Sequence, residues 1–144
     1  MNRDEIIPSI VLSSYALARI AAQDAKNDAP AAQWRVLGIL EDSGQPQRVG
    51  TLAAAARTTQ PGMTRLVGEL ERAGFVSRTP DPDDSRATLV AITAEGQRIM
   101  REWRAEFRAT LTPRFSEASE DDWRTLARAA QLLRTYSAEK ENKE

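Results

Sequence analysis

The hydrophobic period of this chain changes at Gly74. Before it, four apolar residues recur at helical spacing and predict an amphipathic helix with one buried face: Met63, Leu66, Val67 and Leu70. After it, residues 75–78 and 87–92 have the composition of short strands. The residues between them, TPDPDDSR (79–86), favour a hairpin tip, because Pro and Asp are poorly tolerated inside strands.

The predicted amphipathic helix has clear ends. Thr59 can accept a backbone N–H bond as its N-cap, and Pro61 suits the first turn, where no backbone donor is needed. Gly74 fits the left-handed position that closes a helix. An Ala-rich helix over about residues 50–57 comes before it, so the middle of the chain has the order helix, turn, helix, β-hairpin. This is the order of a winged helix-turn-helix.

Longer helices are predicted on both sides of this middle segment. Two precede it, over about residues 5–26 and 31–42, with a break at residues 27–30. A long helix is capped by Thr93 and ended or bent by Pro113, and a last helix starts at Ser119. The apolar faces of the first and last helices have no obvious partner in the middle. We therefore expect them to pack on each other and on a second copy of the chain.

The expected fold is mainly α-helical with a small β-hairpin wing, a winged helix-turn-helix with N- and C-terminal dimerisation helices. Residues 1–29 form a dimerisation helix that works with residues 99–144. We expect residues 30–98 to form the winged helix-turn-helix lobe, which would be the DNA-binding lobe of such a fold. Residues 99–144 hold a long helix and the C-terminal dimerisation helix.

The N-terminal segment 6–18 imitates the apolar core of a signal peptide. Its flank argues against one, because Asp4 and Glu5 outweigh Arg3 where a signal peptide needs positive charge. No stretch is expected to approach the roughly 20 apolar residues of a membrane span. The sequence therefore predicts a cytoplasmic protein with no membrane partner.

The chain contains no Cys and no His. Thiol nucleophiles, imidazole bases and the usual zinc sites are thereby excluded. An enzyme would need a carboxylate pair or a Lys nucleophile, but the acidic clusters 81–84 and 120–122 lie at a predicted turn and helix start, where acids are expected anyway. We predict no enzyme activity, no catalytic residues, no cofactor and no metal site.

The outward face of the capped helix carries side chains suited to DNA: Gln60, Pro61, Thr64, Arg65 and Gly68. Gln can read adenine and Arg can read guanine, while Thr can bond a phosphate or touch a thymine methyl group. The structural alternative is that Arg65 pairs with Glu69 one turn away. In the hairpin, Arg86 lies among carboxylates. The structural interpretation is a solvated turn in which Asp84 and Arg86 pair; the functional one adds that this pair fixes Arg86 so that it projects into a narrow minor groove, and the two are compatible.

Three segments resemble the multiple antibiotic resistance regulator (MarR) family: QWRVLGIL (33–40), LAAAARTTQPGMTRLVGELERAGFVSR (52–78) and DPDDSRATLVAITAEG (81–96). The resemblance implies a homodimeric winged helix-turn-helix repressor of double-stranded operator DNA. It places Thr59, Gln60, Pro61, Thr64 and Arg65 on the recognition helix and Asp84, Ser85 and Arg86 on the wing. It also implies a pocket for a small organic effector, of a non-thiol, non-zinc type because Cys and His are missing.

Two questions stay open in the sequence. The aromatic residues Tyr15, Trp34 and Trp103 could line an effector pocket, but aromatics at helical spacing more often form plain core, so no ligand residues are assigned. The net charge of −1 favours an alternative function, a winged-helix module that binds a protein partner and no operator. Residues 48–78, however, hold five Arg against two Glu, a local basic patch that can meet phosphate.

Overall fold

A computed structural model describes residues 1–24 and 31–137. The elements are α1 (Arg3–Asp24), α2 (Ala31–Ser43), β1 (Gln47–Arg48), α3 (Val49–Ala55), α4 (Gln60–Arg72), β2 (Val76–Asp81), β3 (Asp84–Ile92), α5 (Ala94–Leu111), a 3-10 helix (Thr112–Phe115) and α6 (Glu120–Ser137). The mainly helical fold with a small antiparallel sheet confirms the expected fold class. The chain divides into two units, residues 1–110 and 111–144, and each is considered by itself.

The core of the first unit is built from α2, α3, α4, the sheet and part of α5. Its fully buried side chains are Val36, Leu37, Leu40, Leu52, Met63, Val67, Leu70 and Val90. The α4 members are three of the four residues in the predicted stripe, and the fourth, Leu66, packs against the same core while partly exposed. Burial of this stripe fixes which face of α4 points to solvent.

The sheet has three antiparallel strands in the order β1-β3-β2. The long hairpin pairs Val76 with Ile92 at its base and Pro80 with Thr88 near its end. The two residues of β1 pair with Val90 and Leu89 on the other side of β3. Strand β1 is not predicted from the sequence, because two residues are too short to show a strand period.

The predicted hairpin tip over residues 79–86 was wrong in its extent. β2 continues to Asp81 and β3 begins at Asp84, so only Pro82 and Asp83 form the turn. Pro80 therefore lies inside a strand. It is tolerated because β2 is an edge strand, where Pro does least damage to the ladder, and because the pairing is irregular between Pro80 and Asp81.

The helix ends in the middle of the chain follow local chemistry. Thr59 caps α4, Gly74 after α4 has φ +83°, and Thr93 caps α5 by accepting the Gly96 N–H at 3.0 Å. These three predictions are confirmed. The Ala-rich helix spans Val49–Ala55 rather than residues 50–57, because Arg57 turns into the left-handed region with φ +50° and ends the helical path.

Helix α1 is more apolar than the sequence analysis expected. By length and composition, Arg3–Gln23 could cross a membrane, and it is the one such helix among the described residues. The expectation that no stretch approaches this length was wrong. One such helix near the N-terminus is weak evidence for a membrane span, because core helices of other proteins and signal sequences have the same length and apolar composition. The predicted end of the first helix at residue 26 and the break at 27–30 lie outside the described residues.

The second unit holds the 3-10 helix and α6. Ser119 and Asp122 cap α6 reciprocally: the Asp122 N–H donates to Ser119 Oγ at 3.2 Å, and the Ser119 N–H donates to Asp122 Oδ2 at 2.8 Å. This confirms the predicted start of the last helix. Pro113 lies in the 3-10 helix that follows the end of α5. Several large apolar side chains of α6 are exposed, among them Trp123, Leu126 and Leu133.

Candidate DNA-binding surface

Helix α4 presents a polar face opposite its buried stripe. The Gly62 N–H donates to the Oγ1 atom of Thr59 at 3.2 Å, which satisfies one of the unpaired donors at the helix start. With Met63, Val67 and Leu70 fully buried, the sequence-predicted site residues lie on the exposed side: Thr59, Gln60, Pro61, Thr64 and Arg65. A helix anchored in this way can present side chains to DNA without repacking its own core.

Two details of this face refine the roles of its residues. The Thr64 hydroxyl donates to the carbonyl oxygen of Gln60 at 2.9 Å, so its proton is used within the helix. Because phosphate oxygens only accept hydrogen bonds, Thr64 is better suited to touch a thymine methyl group than to bind phosphate. Among the described residues, the structure records no ion pair between Arg65 and Glu69. Arg65 is an exposed residue on this face of the helix.

A cleft of about 330 Å³ separates the exposed face of α4 from the hairpin. Its polar lining includes Gln60, Thr64, Asp84, Arg86, Arg48 and Arg78. Four of these are predicted site residues, so the cleft brings the helix and the wing together. Thr59, Pro61, Arg65 and Ser85 are not part of its lining. Arg48 and Arg78 were missed as individual residues, and the only signal for them was the local excess of Arg over residues 48–78.

The distal end of the wing carries Arg86 into solvent. Its backbone N–H donates to Asp84 Oδ1 at 3.0 Å, and its Nε lies 3.4 Å from the same oxygen. The Arg86 side chain is 91% exposed. The predicted Asp84–Arg86 pair is therefore present, and it orients the start of the Arg86 side chain while leaving the guanidinium accessible.

Asp81 ties the wing to the start of α3. It is buried, and its Oδ2 accepts from Arg48 Nε at 2.7 Å and lies 2.6 Å from Arg48 Nη2. Its Oδ1 accepts the Asp83 N–H at 2.9 Å in the hairpin turn. The backbone bond from Asp83, followed by the hydrogen bond from Arg48, holds the pKa of Asp81 below its usual value, against the opposing effect of burial. Arg48 and Asp81 are 33 residues apart, so this contact connects β1 to the far end of the hairpin.

Arg78, which lines the cleft, forms an ion pair with Glu71 of α4, which is not part of the cleft lining. Both its Nη2 and its Nε reach Glu71 Oε1, at 2.8 Å and 3.2 Å. The hydrogen bond from Arg78 lowers the pKa of Glu71, and the same bond raises the pKa of Arg78. Both groups therefore stay charged at neutral pH.

The aromatic residues that were candidates for an effector pocket divide into two kinds. The Trp34 ring stacks on Trp103 at a centroid distance of 4.5 Å and on Phe107 at 4.2 Å, and Trp103 is buried. Tyr15 is 70% exposed. The stacked rings behave as core packing between α2 and α5. Within the described residues, no cluster of three Asp or Glu side chains is placed to hold a metal ion.

A capped helix with Gln and Arg on its outer face, next to a hairpin that projects an Arg, defines a winged helix-turn-helix DNA-binding protein. The family model described as MarR family matches residues 28–87. An uncharacterized HTH-type transcriptional regulator from Mycobacterium leprae is 30% identical over 124 residues, which cover 83% of this chain and 86% of the relative. The chain therefore belongs to the MarR family of transcriptional regulators. Members of this family are DNA-binding regulators of transcription and not enzymes.

Two further comparisons show how far the similarity extends. An uncharacterized HTH-type transcriptional regulator from Mycobacterium bovis is 41% identical over 69 residues, which are 43% of this chain and 48% of the relative, so the match spans about half the relative's length. A solved structure of a putative transcriptional regulator from Pseudomonas aeruginosa is 28% identical with a TM-score of 0.71, and the alignment covers 97% of this chain and 99% of that one.

Proposed function

We propose that this chain is a homodimeric repressor that reads a roughly palindromic operator through α4 and the wing. One observation supports DNA reading most strongly: Gln60 and Thr64 of α4 line a single cleft with Arg86 of the wing. Arg65 is also exposed on α4. In this arrangement α4 enters the major groove and Arg86 enters the adjacent minor groove, where negative potential attracts it. A repressor bound in this way acts by covering promoter DNA.

Each proposed contact residue has a distinct chemical role. Gln60 can bond adenine through its amide, Arg65 can bond guanine bidentately, and Thr64 can touch a thymine methyl group. Thr59 and Pro61 set the start of the helix, whose N-terminal dipole favours a nearby phosphate. Asp84 accepts the backbone N–H of Arg86 at the start of β3, and Ser85 lies between these two residues.

Dimerisation is supported by apolar side chains left in solvent on both terminal helices. On α1, Leu12 and Tyr15 are 69% and 70% exposed, and on α6, Trp123 and Leu126 are 40% and 42% exposed. Such residues are costly in water and are typical of an interface with another chain. A two-fold dimer would present two α4 helices to half-sites about one helical turn, roughly 34–36 Å, apart.

Regulation by a small organic effector, and location in the cytoplasm beside the chromosome, complete the proposal. An effector that binds one spacing of the two α4 helices better than the other would shift the population of dimers away from the operator-binding form. The Trp34 ring is already packed against Trp103 and Phe107, so these aromatic residues give no reason to assign an effector-binding site.

Gel-shift titration with the DNA upstream of the protein's own gene tests the proposal. Arg65→Ala should weaken binding about 10-fold or more and relax base preference at one position, because a bidentate pair contributes about 1–3 kcal/mol of discrimination. Arg86→Ala should weaken binding without changing major-groove preference. Arg101→Ala, which removes an exposed Arg of α5 outside the cleft, is the control with the same change in charge and should bind like the wild type.

The same titration distinguishes this proposal from the second candidate, a protein-interaction module. That candidate is favoured by the near-neutral net charge of −1. Such a module should bind the promoter fragment no more tightly than random DNA. Equal affinity for the two, or unchanged affinity in both Arg65→Ala and Arg86→Ala, would refute operator reading by this surface.

A further inference from the structure

Three arginines line the cleft between α4 and the wing, and each one is held by a carboxylate. The pairs are Arg48–Asp81, Arg86–Asp84 and Arg78–Glu71. A guanidinium in an ion pair offers little net positive charge to a DNA phosphate. The positive charge of the cleft is therefore reduced from within the protein, least at Arg86, whose side chain is 91% exposed.

The three carboxylates differ in what else they hold. Asp81 and Asp84 accept backbone N–H bonds inside the wing, from Asp83 and Arg86, so they also shape the hairpin. The side chain of Glu71, among the described residues, accepts hydrogen bonds from the guanidinium of Arg78 only. Its side chain is 37% exposed, and that of Arg78 is 38% exposed. Glu71 therefore contacts strand β2 at Arg78 and not the hairpin turn, and at this exposure ions in solution can compete for Arg78.

We propose that Glu71 competes with DNA phosphate for Arg78 and so lowers the affinity of this protein for DNA of any sequence. A phosphate that enters the cleft has to displace Glu71 or share Arg78 with it, and it meets the repulsion of the carboxylate in either case. Because non-specific binding to DNA is almost entirely electrostatic, one neutralised arginine lowers it directly. The inference rests on the proposed function, since it takes the cleft to face DNA.

Glu71 could instead help DNA binding, and the two roles predict opposite changes in DNA affinity when its charge is removed. If Glu71 served to aim Arg78 at DNA, removing its charge would weaken binding. If Glu71 competes, removing its charge strengthens binding, a gain that disturbance of the fold does not produce. The direction of the change in affinity therefore separates the two roles.

Glu71→Gln is the test variant, because Gln keeps the size of the side chain and removes its charge. Glu95→Gln is its matched control: it makes the same change in net charge, and Glu95 pairs with Arg98 of α5 at 2.6 Å, outside the cleft, at similar exposure. Fluorescence anisotropy with an operator duplex and with a random duplex, across a NaCl series, gives the affinity and its salt dependence for each protein.

Glu71→Gln should bind both duplexes about threefold or more tightly at low salt, and its plot of log affinity against log salt should be steeper by about 0.9. That difference in slope makes the gain shrink about threefold between 50 and 200 mM NaCl. Glu95→Gln should stay close to the wild type. The gain should disappear in the double variant Glu71→Gln/Arg78→Gln and should be reproduced by Glu71→Ala, which does not depend on how Gln packs.

Unchanged or weaker binding by both Glu71→Gln and Glu71→Ala, with thermal unfolding like the wild type, would overturn the inference. An equal gain in Glu95→Gln would overturn it as well, because net charge alone would then be the cause. Failure of the proposed function has a different signature: the wild type itself would show no preference for the operator duplex over the random one.

Discussion

Replacing Gly96 by Ala should destabilise the junction between the hairpin and α5. Gly96 is buried in the first turn of α5, and a Cβ atom there would lie 2.2 Å from the carbonyl oxygen of Phe75 and 2.8 Å from Ile92 Cγ1. The first neighbour is backbone and cannot rotate away. Relief requires α5 to move by about 1 Å, since overpacking in a filled site is relieved by backbone shifts. The same Phe75 oxygen accepts the Thr93 N–H at 3.0 Å, so this movement also disturbs the cap of α5.

The size of the effect follows from three contributions. Overpacking costs about 1–3 kcal/mol, and weakening a backbone hydrogen bond costs about 1 kcal/mol. Replacing Gly by Ala in a helix returns up to about 1 kcal/mol. The expected net loss is about 1–3 kcal/mol of unfolding free energy, which corresponds to a fall of about 4–12 °C in the midpoint of thermal unfolding followed by circular dichroism.

Gly38→Ala is the matched control within α2. A Cβ at Gly38 would have Met100 Cε as its nearest neighbour at 3.9 Å, an ordinary contact distance. This variant should unfold at the wild-type temperature or a few degrees above it, because Ala favours a helix more than Gly. If Gly96→Ala were as stable as the wild type, or if Gly38→Ala lost as much stability, the steric argument would be refuted.

Three further predictions concern the cap of α4, the wing and the terminal helix. Thr59→Ala should lose about 1 kcal/mol of unfolding free energy in urea titrations, and an equal loss in Thr58→Ala would show that the cap bond is not the cause. Asp81→Asn should unfold more easily than the wild type at neutral pH. Because folding lowers the pKa of Asp81, this difference in stability should vanish as the pH falls through that pKa. A difference in stability that persists in acid would contradict the ion-pair account. Leu126→Asp should shift the protein towards monomer in analytical ultracentrifugation, whereas Gln131→Asp should not; identical assembly of both would exclude this face of α6 from the interface.

Local chemistry made the position of α4 predictable from the sequence. Thr59, the apolar stripe ending at Leu70 and the closing Gly74 all point to one helix, because capping, period and backbone conformation act over a few residues. The exposed face of that helix followed directly from the buried one. The Asp84–Arg86 pair was predictable for the same reason, since its members are two residues apart.

Contacts between distant residues were not predictable in this way. Arg48 meets Asp81 across 33 residues, and nothing near either residue signals the pair. Pro80 predicts the absence of a strand when only the sequence is considered. Its place on an edge strand removes that objection, but the edge is known only once the strand order is known. Strand β1 exists because β3 is there to pair with it, so its two residues carry no signal of their own.

Competition binding between a selected DNA site and random DNA tests whether this chain reads sequence through α4 and the wing. The site would be selected from a genomic DNA pool by the wild-type protein, and affinities would be measured at near-physiological salt. The account predicts that the wild type prefers the selected site by about a thousandfold or more, that Arg65→Ala loses much of this preference, and that Arg86→Ala binds both DNAs more weakly. Equal affinity of the wild type for selected and random DNA would contradict it.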